Sequence, residues 1–121
     1  MNFKNIIEEN KELMLKTLKE LLQIRSVLDE ENKTETMPFG KGIDDALNYM
    51  LDVAKKDGFD TLNCDGYAGH ITYGDNDKSI VGVLCHLDVV PEGNNWTYPP
   101  YGAKIVGDKI YARGAIDDKG P

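Results

Sequence analysis

From Ser79 to Val90 the chain reads S-I-V-G-V-L-C-H-L-D-V-V, an apolar and β-branched run that breaks at Pro91. Its length and composition suit a fully buried strand. Side chains alternate along a strand, so His86 and Asp88 are expected on one face and Leu87 on the other. Their Cβ atoms would then stand roughly 6.5–7 Å apart, a gap that an imidazole and a carboxylate close. One ring nitrogen of His86 could bind a cation while Asp88 accepts the proton on the other, fixing the tautomer. A bare H-x-D also describes a hydrogen-bonded core histidine followed by an acid entering a turn. Its position at the carboxyl end of an apolar strand favours a ligand site, because open α/β sheets bind ligands there.

A second acidic group follows a predicted hairpin. Ala103–Val106 and Lys109–Ala112 flank Gly107-Asp108, a pair suited to a tight turn. The chain then reads R-G-A-I-D-D-K-G-P from Arg113 to Pro121. Asp117 and Asp118 beside Lys119 describe either a solvated turn or a carboxylate that bridges two metal ions.

Taken together, H-L-D-V-V-P-E-G, a following Trp, P-Y-G and I-Y-A-R-G-A-I-D-D-K-G-P resemble the N-terminal catalytic part of the M20 metallopeptidase family. The D-D-K-G-P ending and the upstream P-F-G-K-G-I are similar to its dipeptidase branch, the PepV and Sapep-like enzymes. The resemblance implies an α/β fold, a mixed sheet flanked by helices, forming the first half of a zinc-peptidase catalytic domain. Residues 1–121 would be a partial catalytic domain, without the lid or dimerisation domain and the C-terminal half. Two zinc ions are implied, with manganese or cobalt as alternatives. His86 would be a ligand of one ion, Asp117 would bridge both, and Asp88 would be the active-site carboxylate that orients His86. The Asp117–Asp118 peptide would be cis. Ala112 and Tyr101 depart from the common Gly and Phe without touching a proposed ligand.

The implied reaction is metal-assisted hydrolysis of dipeptides. The family's general-base Glu, its remaining carboxylate ligands and its last His have no counterpart before Pro121. A hydrolytic zinc takes at least three protein ligands, so the chain as given is expected to bind metal poorly and to be inactive. An N-acyl amino-acid deacylase of the same family is the nearer alternative. A non-catalytic fragment with no metal site is the alternative of another class.

Composition sets outer limits. With 121 residues, 40% hydrophobic and 29% charged, the chain suits one modest soluble domain. Its 21 acidic and 14 basic residues give −7, which argues against nucleic acid or an anionic membrane as partner. A dipeptide is the expected partner; composition does not address oligomeric state. Cys64 and Cys85 are too few for a disulfide framework, and a cytoplasmic location is expected. Cys85 is expected in the core, on the strand face away from His86.

Along the chain, Asn5–Ile24 reads as an amphipathic helix, with Glu8 and Glu9 early enough to suit its dipole and Arg25-Ser26 closing it. Residues 29–36 read as a surface loop. Met37–Gly42 is a turn, and its G-K-G is not a phosphate loop. Ile43–Lys56 carries apolar residues at Ile43, Ala46, Leu47, Met50, Leu51 and Ala54, one helical stripe that Gly58 should stop. Phe59–Tyr67 and His70–Tyr73 are short strands, and Asp75-Asn76-Asp77 is a turn. His70 has no acid two residues away and reads as a surface or packing residue. Trp96, Tyr98 and Tyr101 lack a basic patch for phosphates and read as anchors of a rigid loop.

Overall fold

The computed structural model describes residues 1–75 and 79–121. The expected turn at 75–77 lies partly outside the described residues. Two helices and two hairpins follow one another: α1 (Phe3–Gln23), α2 (Lys41–Lys56), β1 (Asp60–Cys64), β2 (Ala68–Thr72), β3 (Lys104–Val106) and β4 (Lys109–Tyr111).

Helix α1 begins two residues earlier than its apolar pattern suggests, because the Asn2 side chain accepts a hydrogen bond from Asn5 N–H. That start moves Glu8 and Glu9 out of the first turn, which holds no acidic residue. Only the C-terminal end of α1 is well covered, with Leu21 and Leu22 buried while Phe3, Ile7, Leu13 and Met14 stay exposed. Helix α2 keeps the predicted stripe, burying Ala46, Leu47, Leu51 and Ala54. Its end is a paired 6→1 and 5→2 closure, Phe59 N–H to Ala54 O and Gly58 N–H to Lys55 O, with Gly58 at φ +88°. Its start needs Gly42 for space, since a Cβ there would collide with the Arg25 carbonyl at the exit from α1.

Strands β1 and β2 pair antiparallel, with Leu62 opposite His70, and α2 packs across them where Gly69 meets Leu47 and Leu51. His70 is exposed, and Cys64 ends β1 half-buried. Strands β3 and β4 pair around Gly107-Asp108, with Val106 opposite Lys109. Gly107, at φ +61°, takes the first central position of the turn.

The expected single mixed sheet is not what the described residues form; they carry two separate antiparallel pairs. Residues 79–90 belong to neither. A strand is defined by a neighbour that satisfies its backbone groups. Among the described residues this run has no strand partner, with bonds to Ser26 and Asp118 only near its end, and Ile80, Val81, Val83 and Leu84 are 81–99% exposed. Cys85, expected in the core, is exposed with them. Only the end of the run is held, where Val89 is buried. No helix among the described residues is long and apolar enough to cross a membrane.

Candidate metal centre

The site is assembled at the C-terminal end of α1. Ser26, fully buried just past that helix, donates from Oγ to Leu87 O at 2.6 Å, and its carbonyl accepts from Val89 N–H at 2.9 Å. These two bonds straddle Asp88 and fix the backbone that carries it and His86. On the other side, the turn after β4 brings Asp117 and Asp118 back to the same place, through a cis peptide between them.

The imidazole of His86 lies between the two acidic groups. Its Nδ1 is 3.1 Å from both the carbonyl and the Oδ1 of Asp88. Its Nε2 is 3.1 Å from Asp117 Oδ1. Asp118 sits behind, with Oδ2 accepting from the His86 backbone N–H at 3.4 Å. Burial pulls the His86 pKa down, but the Asp88 backbone carbonyl, Asp117, Asp88 and Asp118 outweigh it, and the net direction is up.

This arrangement has one chemical consequence. With Nδ1–H donated to Asp88, Nε2 offers a lone pair to a carboxylate oxygen that is itself only an acceptor. Two acceptors at this distance need a positive centre between them. A proton on Nε2 can fill that role, and the upward direction of the His86 pKa is consistent with it. A small cation shared by the two atoms would fill it equally, since imidazole nitrogen and carboxylate oxygen are both common zinc ligands. The pair therefore fits the implied metal as two of its ligands. Asp117's side chain is 85% exposed, so its carboxylate is open to a second partner. Among the described residues, no three His, Cys, Asp or Glu side chains are arranged to hold an ion by themselves.

A separate polar cluster lies in the loop after Pro91, around a carboxylate the sequence did not single out. Glu92, four residues past Asp88, receives Tyr101 Oη–H at 2.8 Å and pairs with Arg25 at 3.1 Å. Its own backbone N–H, then Tyr101, then Arg25 hold its carboxyl down at about 2. Trp96 donates from Nε1 to Glu92 O at 2.7 Å, Arg113 donates to the same carbonyl at 3.2 Å, and Arg113 stacks 5.3 Å from the Trp96 ring. Tyr98 packs on Tyr111 at 5.0 Å. The three aromatic residues are thus engaged in packing and hydrogen bonds within the loop and its hairpin.

Residues 82–121 match the model of peptidase family M20/M25/M40, so the matched stretch includes His86, Asp88 and Asp117. Through this stretch the chain is similar to the M20 peptidase family. It is 48% identical, over its full length, to the protein named "Putative dipeptidase YtjP" of Bacillus subtilis (strain 168). It is also 48% identical over 122 aligned residues to the Beta-Ala-Xaa dipeptidase of Lactobacillus delbrueckii subsp. lactis. The chain spans 26% of the length of each of these relatives.

Proposed function

We propose that this chain is part of a metal-dependent dipeptidase, in which His86 and Asp117 are metal ligands and Asp88 orients His86. The observation that carries the reading is the contact between His86 Nε2 and Asp117 Oδ1 at 3.1 Å, with Nδ1 already engaged by Asp88. Two groups 31 residues apart meet through the atoms that a metal would take. The naming of relatives as dipeptidases supports an unblocked dipeptide as substrate.

Within the reaction, Asp88 holds the proton on Nδ1 and keeps the Nε2 lone pair aimed at Asp117. Asp117 presents an exposed carboxylate with two oxygens, which suits a bridge between two ions. Asp118 accepts from the His86 backbone and holds the two acidic segments in register. A bound zinc pair would supply polarisation of the scissile carbonyl and an activated water. Further ligands and a general base must come from residues outside these 121, so the chain alone should lack activity.

The test is turnover by the full-length protein. Hydrolysis of Ala-Ala-type dipeptides, with N-acetyl amino acids poor by comparison, is expected. Preference for the N-acetyl compounds would replace the dipeptidase reading with that of an acyl amino-acid deacylase.

A further inference from the structure

Lys119 is the one buried lysine among the described residues, 7% exposed where the other described lysines are exposed or half-exposed. Its Nζ donates to the carbonyls of Leu21, at 3.0 Å, and Ile24, at 2.7 Å. Both carbonyls belong to the last turn and cap of α1, where the helix dipole is negative, and each also accepts one backbone N–H, from Ile24 and Ser26 respectively. The lysine stem lies against Gly114, and the Lys119 N–H returns to Gly114 O at 3.0 Å. A Cβ at Gly120 would collide with the Ala115 carbonyl, so the turn is closed tightly on both sides of the lysine.

Two residues further along α1's exit, Ser26 grips the other acidic segment through Leu87 O and Val89 N–H. The same stretch of six residues, Leu21 to Ser26, therefore holds both halves of the centre. The lysine contacts span 95 and 98 positions, the Ser26 hydroxyl contact spans 61, and the neighbouring Arg25–Glu92 pair spans 67.

From this we infer that Lys119 and Ser26 are positioning residues that register Asp117 against His86 by anchoring both segments to the C-terminal end of α1. The inference rests on the metal-site reading above and adds the means by which the two ligands meet. Removing the ammonium frees the Asp117 turn to move while leaving every proposed ligand in place. Outer partners that orient metal ligands typically contribute about 10–100-fold in metal affinity or activity.

The experiment uses the full-length protein, stripped of metal and titrated with zinc. Wild type is compared with Lys119→Met, which keeps the stem, with Ser26→Ala, and with Leu51→Ala as a core-destabilised control under β1 and β2. Zinc affinity is read directly by competition with a chromophoric chelator, well below each variant's melting temperature. Lys119→Met is expected to bind zinc about 10–100-fold more weakly, with lower kcat, nearly unchanged KM and partial recovery at saturating zinc. Ser26→Ala should move the same way by less, and Leu51→Ala should bind as wild type. Unshifted affinity in folded Lys119→Met overturns the inference. If that variant does not fold, unshifted affinity in Ser26→Ala overturns it instead. A wild type that takes up no zinc overturns the metal reading itself, a result distinct from either.

Discussion

The Arg25 guanidinium, the Glu92 carboxylate and the Tyr101 hydroxyl form a polar cluster that joins the exit of α1 to the loop after Pro91. Because the Glu92 pKa falls on folding to about 2, its ionised form stabilises the fold above the ordinary carboxylate range near 4.5. That contribution disappears as pH drops from about 4.5 through about 2. Glu92→Gln should therefore flatten the acid limb of an unfolding curve in that window, as followed by circular dichroism. If the acid limb is unchanged, the cluster contributes no stability. At this scale the sequence was readable only where chemistry has a local pattern. Asp117 is set apart from Asp118 only by what the resemblance implies, while His86 and Asp88 stand out by residue type and spacing. Ser26 and Lys119 do not, because their partners are backbone carbonyls far along the chain, and a carbonyl leaves no trace in the sequence. The glycines around Lys119 are the one hint that its backbone is tightly enclosed.

Helices α1 and α2 were legible because periodic burial is a local property, and the second hairpin because Gly107-Asp108 marks its turn; the first was read as a strand running through to Tyr67, whereas β1 ends at Cys64 and turns at Asp65-Gly66. The 79–90 run was read correctly as apolar but not as to its state, since pairing depends on a neighbour that composition cannot supply. The close contact between α2 and the α1 exit was also hidden, although Gly42 marks it. Gly42→Ala places a methyl group against the Arg25 carbonyl, and overpacking of this kind costs about 1–3 kcal/mol. It should lower the denaturation midpoint by more than Gly58→Ala, where a Cβ meets nothing within 4 Å and only the positive φ is penalised. Chemical denaturation of the two variants in the full-length protein decides it; equal loss would mean that the α1–α2 contact is not tight.

The whole molecule presents a site that is anchored at its base and open above. Val81, Val83 and Leu84 project from the described residues with 89–99% of their surface exposed, and the chain spans about a quarter of its relatives. An unpaired apolar run of this kind is a template for pairing with another chain. The 121-residue chain alone should self-associate in light scattering, and Val83→Lys should reduce that association; a monomer at high concentration would contradict this. The central claim remains that His86 and Asp117 bind one metal centre together. Metal content of the full-length protein, measured by mass spectrometry for wild type, His86→Ala and Asp117→Asn, tests it most directly. About two zinc equivalents in wild type, reduced in both variants, is the predicted result. Retention of the full complement by both variants would contradict it.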